Sequence, residues 1–69
     1  MKLSARNQIK GTVVKIEKGA TTSHVSIEIS GGVVLMASIT NEAVADLALT
    51  EGASAYAVIK ASDVMVGVA

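Results

Sequence analysis

The sequence predicts a small all-β domain with one short helix, arranged as a five-stranded OB-type barrel of Greek-key topology. The 69 residues are enough for one domain, spanning 1–69, and for no second one. β-branched residues recur in short runs that glycine or polar breaks separate, and only one run has helical spacing. The resulting order of three strands, a helix and two strands is that of an OB barrel. An SH3-like barrel has similar numbers of strands and helices and stays an alternative.

The first two strands follow from their side-chain patterns. Gln8 to Glu17 is rich in β-branched residues, and a bulge is expected at Gly11 because glycine has no side chain there. Lys18-Gly19-Ala20 is the turn that ends this strand. Thr22 to Ser30 then alternates regularly between apolar and polar side chains, as in a half-buried strand. Its polar face consists of His24, Ser26, Glu28 and Ser30.

The remaining elements follow from turn and cap signals. Gly31-Gly32 supplies the positive φ of a two-residue hairpin, so Val33 to Ile39 is expected to run back antiparallel. Thr40-Asn41-Glu42 is a polar cap with an acidic first turn, which predicts a helix of about two turns. Ala53 to Lys60 and Val64-Met65-Val66 are the predicted fourth and fifth strands.

The composition indicates a thin core that needs further stabilisation. Apolar residues make up 51% of the chain, but Tyr56 is its single aromatic residue and there is no cysteine. A domain of this size buries only roughly 60% of the surface that its unfolded chain exposes. Because neither disulfides nor a zinc ligand set can stabilise the fold, we expect a homo-oligomer. Met36 and Met65 are expected to fill the core or such an interface.

Charge and motifs exclude several classes of function. The formal net charge is zero, and stacking aromatics are missing, which argues against nucleic acid and anionic membranes as partners. The amino terminus is polar and no apolar run approaches the roughly 20 residues of a membrane span, so a cytoplasmic location is expected. His24 is the single histidine and is interpreted as a solvated or interface residue of a polar strand face. Ser4, Ser62 and Asp63 show no nucleophile-elbow spacing, so the sequence predicts that the protein is not an enzyme.

Two short polar segments could hold an anion. Ser4-Ala5-Arg6-Asn7 precedes the first strand, and Lys60-Ala61-Ser62 joins the last two strands. Each combines a cation, a hydroxyl and exposed backbone N–H groups around a small alanine. Such donors suit a tetrahedral oxyanion, which has several acceptor oxygens and delocalised charge. The alternative is that Arg6 and Lys60 are ordinary solvated surface charges.

The same segments carry a family resemblance that covers nearly the whole chain. The sequence resembles the molbindins, the small molybdate-binding proteins with a Mop, or TOBE-like, domain. The matching residues are Ser4-Ala5-Arg6-Asn7-Gln8-Ile9-Lys10-Gly11, Val14, Lys18-Gly19, Ile39-Thr40-Asn41-Glu42 and Ala57-Val58-Ile59-Lys60-Ala61-Ser62-Asp63-Val64-Met65. The opening and closing blocks are specific in combination. Departures concentrate around Ala20 to Val34.

The resemblance implies a homohexamer, a trimer of dimers, that binds molybdate or tungstate at subunit interfaces for intracellular storage. No cofactor and no direct protein ligand to the metal are implied. A second kind of oxyanion site is implied as well, and the turn at Lys18, Gly19 and Ala20 could offer backbone donors either to it or to the first one. The residues that match the family's anion-binding motif are Ser4, Arg6, Asn7, Lys60, Ala61 and Ser62. The alternative is an OB-type interaction module for a protein or single-stranded nucleic acid, which binding to single-stranded DNA would reveal.

Overall fold

A computed structural model describes all residues from Met1 to Ala69 and confirms a mostly β domain with one short helix. Four antiparallel strands form one curled sheet, a half-barrel, in the order β3-β2-β1-β4. The helix α1 is too short to cross a membrane. The elements are β1 (Asn7–Lys18), β2 (Thr22–Glu28), β3 (Val34–Thr40), α1 (Asn41–Asp46) and β4 (Ser54–Ile59), with 3-10 turns at Ser30–Gly32 and Ala61–Asp63.

The long strand β1 organises the sheet because it pairs with β4 through its first half and with β2 through its second half. The predicted bulge lies between Val13 and Lys15, not at Gly11. Long-range hydrogen bonds fix it there: the Gly52 N–H donates to the Val13 carbonyl at 2.7 Å, and the Ile16 N–H donates to Glu51 Oε2 at 3.3 Å. Gly11 instead allows the close approach of β2.

The turns and the cap agree with their predicted roles. Gly31 and Gly32 both have positive φ, at 78° and 77°, and β3 returns antiparallel to β2. The connection is longer than the predicted two-residue turn, because Ser30 joins the glycines in a 3-10 turn. The Thr40 side chain accepts a hydrogen bond from the Ala43 N–H at 3.0 Å and so caps α1.

The predicted fifth strand does not form within the single chain. Val64 to Val68 lies outside the sheet, and Met65, Val66 and Val68 are 93%, 91% and 96% exposed. A strand needs a neighbouring edge to satisfy its backbone groups, so β-branched composition alone does not produce one. One chain therefore forms a four-stranded half-barrel where the sequence predicts a five-stranded, partly open Greek-key barrel.

The core is as thin as the composition predicts. The buried apolar residues form one small cluster, while Met36 and Tyr56 on the edge strands are 68% and 50% exposed. Met36 and Met65 are therefore not part of the core of this chain. The four buried apolar residues are Val13, Val25, Ile27 and Ala57.

Candidate functional site

The two polar segments expected to bind an anion lie side by side at one end of the sheet. Antiparallel pairing of β1 with β4 places Asn7 opposite Ile59. The segment before β1 and the segment after β4 therefore leave the same end of this ladder together. The register therefore places six predicted residues at this end of the ladder, and we call them the first site: Ser4, Arg6, Asn7, Lys60, Ala61 and Ser62.

Asn7 ties the two segments to each other. Its Nδ2 donates to the Ile59 carbonyl at 3.2 Å, and the residue is half-buried. This bond joins the first residue of β1 to the last residue of β4. Asn7 therefore positions the backbone of the first site, and the segments on either side remain free to contact a ligand.

Gln8 is a second positioning residue, which the sequence reasoning missed. Its Nε2 donates to the Ala5 carbonyl at 3.2 Å and so holds the chain just before β1. The signal that points to it is a side-chain amide three residues after Ala5, a spacing from which the amide reaches the Ala5 carbonyl. Gln8 thereby fixes the backbone that carries Arg6.

The 3-10 turn after β4 leaves backbone donors unused. The Asp63 N–H donates to the Lys60 carbonyl at 2.9 Å, and the Val64 N–H donates to the Ala61 carbonyl at 3.3 Å. The N–H groups of Ala61 and Ser62 donate to no atom of the chain. Consecutive free N–H groups in a turn form a concave donor set that suits an anion.

The cations and hydroxyls of the first site are also free of partners within the chain. Arg6 and Lys60 are exposed and form no ion pair; the one ion pair of the chain joins Lys15 Nζ to Glu17 Oε2 at 3.6 Å elsewhere on the sheet. The side chains of Ser4 and Ser62 make no hydrogen bond. The first site therefore combines two cations with several donors that have no partner within the chain, and the Asp63 carboxylate follows directly after Ser62.

The possible second site lies at the opposite end of β1. Lys18 follows Asn7 by 11 residues (18 − 7) along β1, which corresponds to at most about 36 Å at about 3.3 Å per residue. Here Asn41 holds the turn, because its Nδ2 donates to the carbonyls of Gly19 and Ala20 at 3.0 and 3.3 Å. The Gly19 N–H is used by the Thr22 carbonyl at 2.8 Å. Asn41 was not among the predicted site residues.

Neither end of the sheet offers ligands for a bare metal ion. No group of three or more histidine, cysteine or acidic side chains comes together in the chain. His24 is exposed on β2, where Glu17 and Ser38 are its cross-strand neighbours. The arrangement at the first site is built from donors and cations, which are complementary to an intact oxyanion and not to a cation.

Comparisons with known proteins agree on one family. The model of the TOBE domain matches residues 3–66. The chain is 54% identical over 68 residues to the probable molybdenum-pterin-binding protein of Haemophilus influenzae, covering 99% of each. It is similar to MopII from Clostridium pasteurianum (TM-score 0.90, 43% identity, 97% of this chain and 100% of that one). It also resembles the cytoplasmic molybdate-binding protein ModG (TM-score 0.95, 51% identity), matching all of this chain and 49% of that one.

Proposed function

This chain belongs to the TOBE-domain family, as a molbindin of the Mop type, and on that premise we propose that it binds molybdate at the first site. One observation carries the proposal. Two cations and several hydrogen-bond donors that have no partner within the chain lie at the same end of the β1–β4 ladder. MopII and ModG share its fold, and ModG is a molybdate-binding protein by name. Those names support molybdate as the ligand to test first.

The chemistry of the donors fits a tetrahedral dianion. Arg6 and Lys60 balance two negative charges, and the Arg6 guanidinium can donate to two oxygens at once. The hydroxyls of Ser4 and Ser62 and the free N–H groups at Ala61 and Ser62 supply donors from other directions. The metal keeps all its oxygens, so the protein binds it only through outer hydrogen bonds. Binding of this kind involves no bond making or redox change.

An assembly of several chains, a second ligand and a storage role complete the proposed function. We place the anion at an interface between chains, in a hexamer made of three dimers, because the first site is open to solvent in one chain. Tungstate has the same charge and shape and is a second ligand of the same site. A protein that binds and releases an intact anion by mass action serves as a store or buffer in the cytoplasm. Lys18, Gly19 and Ala20 remain a weaker candidate for a second anion.

Isothermal titration calorimetry with molybdate, tungstate and sulfate tests the ligand. We expect saturable heats with the first two and much weaker binding of sulfate, which is smaller and reaches fewer donors at once. No heat with molybdate, or equal affinity for sulfate, would refute the proposal.

Variants of the two cations test the site. Arg6→Ala and Lys60→Ala each remove a charge-assisted donor, which is worth about 1.5–3 kcal/mol, so molybdate affinity should fall roughly 10- to 150-fold. Lys15→Ala is the matched control, because Lys15 is also exposed but lies away from the site and pairs with Glu17. Unchanged affinity in both site variants would place the anion elsewhere.

A further inference from the structure

The single aromatic side chain of the protein lies on the exposed face of the β1–β4 ladder. Exposure alternates along β4, so Tyr56 and Val58 are open to solvent while Ala57 between them is buried. The extended backbone at Lys60 (φ −64°, ψ 140°) continues this alternation just beyond the strand. Tyr56, Val58 and Lys60 therefore follow one another on one side of the ladder, which we call the outer face.

Strand β1 adds a cation to the same face. The register places Lys10 directly opposite Tyr56 and Gln8 directly opposite Val58, and both β1 residues are exposed. Side chains that lie directly opposite each other in an antiparallel pair have Cβ atoms about 4.5–5.5 Å apart. An ammonium group and a half-exposed phenol ring thus share one patch of the outer face.

The outer face is positively charged along this ladder. Residues 7–12 and 54–60 include two lysines and no acidic residue. Neither Lys10 nor Lys60 forms an ion pair. The carboxylate of Glu28 on β2 lies one row of outward side chains further along the sheet. Two unpaired ammonium groups beside an aromatic ring are complementary to an anion that carries a ring of its own.

The spacing of these groups sets the size of such a ligand. Lys60 follows Tyr56 by four residues (60 − 56), which corresponds to about 13 Å at about 3.3 Å per residue. A ring stacked on Tyr56 therefore leaves room for a sugar above Val58 and for one phosphate between the two lysine side chains. This length and this chemistry match a nucleoside monophosphate.

The number of aromatic side chains distinguishes a mononucleotide from a nucleic acid. Proteins that bind single strands stack successive bases on several aromatic side chains, and this chain has only one. One aromatic ring serves one base. The zero net charge gives little attraction to a polyanionic strand, but it does not oppose a small ligand that needs only two local cations.

We propose that the outer face of the β1–β4 ladder binds a nucleoside monophosphate, with the base stacked on Tyr56 and the phosphate held by Lys10 and Lys60. The site goes beyond the proposed molybdate function, because Lys10 and Tyr56 lie outside the first site. The two sites share Lys60 alone. A phosphate and a molybdate that draw on the same cation weaken each other's binding, and this coupling is reciprocal.

Calorimetric titrations with adenosine monophosphate, adenosine and inorganic phosphate, made without molybdate, test the ligand. We expect saturable heat with the monophosphate and at least about tenfold weaker binding of adenosine and of phosphate, because each offers only part of the contacts. No heat with the monophosphate, or equal affinity for adenosine or phosphate, would overturn the proposal. Tighter binding of single-stranded DNA, counted per nucleotide, would overturn it in favour of a nucleic acid.

Variants of the two contacts test the location. Tyr56→Ala removes the stacking ring and should weaken binding of the monophosphate roughly 5- to 150-fold, whereas Tyr56→Phe keeps the ring and should change it by less than about threefold. Lys10→Ala should weaken it roughly tenfold. Lys15→Ala is the matched control, because Lys15 is also exposed but lies in the other half of β1, and it should change the affinity by less than about threefold.

Circular dichroism verifies that each variant retains the sheet. If Tyr56 and Lys10 only stabilise the sheet as a cross-strand pair, their variants lower stability and leave nucleotide binding unchanged, and the proposal is wrong. Equal losses in Tyr56→Phe and Tyr56→Ala would show that the ring does not stack on a base.

A second calorimetric series separates this proposal from the molybdate proposal. Tyr56→Ala and Lys10→Ala should bind molybdate within about threefold of the wild type, because neither residue belongs to the first site. Saturating adenosine monophosphate should weaken molybdate binding to the wild type, and an unchanged affinity would overturn the placement of the phosphate at Lys60. If molybdate does not bind at all, the nucleotide titrations still decide the present proposal, because they contain no molybdate.

Discussion

Gly11 is the position where the fold of the half-barrel tolerates a side chain least. A Cβ atom added there would lie 2.5 Å from the Glu28 carbonyl oxygen and 2.7 Å from Ile27 Cγ2. Normal contacts between such atoms are about 3.5 Å. Gly11→Ala therefore forces β2 away from β1, next to the buried side chain of Ile27.

The size of the effect follows from two opposing contributions. Replacing glycine by alanine in a strand gains about 0.5–1 kcal/mol, because the unfolded chain loses conformational freedom. Overpacking a filled site costs typically about 1–3 kcal/mol, and the upper end applies here because the nearest atom belongs to the backbone. We expect a net loss of about 2 kcal/mol, a large part of the roughly 3–10 kcal/mol available to a domain of this size.

Urea unfolding followed by circular dichroism measures this loss. With a slope of about 1 kcal/mol per molar urea, the midpoint should fall by about 2 M. All variants are compared at one protein concentration, because association stabilises the folded chain. Gly67→Ala is the control, since a Cβ there meets nothing within 4 Å. A Gly11→Ala midpoint within about 0.3 M of the wild type would refute the close packing of β1 and β2 at this position.

Three further outcomes are expected. Asn41→Ala leaves the buried Ser23 hydroxyl without its partner, so the free energy of unfolding should fall by about 1–3 kcal/mol in urea titrations. Thr40→Ala removes the cap of α1 and should cost about 1 kcal/mol, whereas Thr40→Ser should cost less; both should bind molybdate as the wild type does in calorimetry. Because the cations of the first site are exposed, molybdate affinity should fall as sodium chloride rises, and a constant affinity would contradict charge neutralisation by solvent-exposed groups.

The sequence predicts most of the fold because its signals are local. Alternation identifies β2, the helix cap at Thr40 identifies α1, and the paired glycines identify the β2–β3 turn. The prediction of the bulge at Gly11 was wrong, because its true position depends on two residues that are distant in sequence: Glu51, whose carboxylate accepts from the Ile16 N–H, and Gly52, whose N–H donates to the Val13 carbonyl. Gly11 is required for close approach of two strands, and a sequence does not distinguish this role from a bulge.

The fifth strand was predicted from composition, and composition does not supply a partner edge. Val64 to Val66 has the β-branched character of a strand, but in one chain it meets no free edge. Whether such a segment forms a strand depends on tertiary or quaternary contacts. The periodicity of a single sequence contains no information on these contacts.

The sequence predicts which residues form the candidate site, but it does not predict how they are arranged in space. Only the pairing of Asn7 with Ile59 shows that the two segments are neighbours. Gln8 and Asn41 were missed because each acts by donating to backbone carbonyls of a turn. Such bonds depend on the path of the backbone, which residue types alone do not reveal.

Tyr56 has a practical consequence for the study of this protein. It is the single aromatic side chain, it is half-exposed, and it lies on the outer strand β4. Its ultraviolet emission is thus an unmixed optical signal from one strand. In dilution series and stopped-flow mixing, this emission reports changes around the outer strand β4 in real time. It needs no attached dye and no separation of several fluorophores.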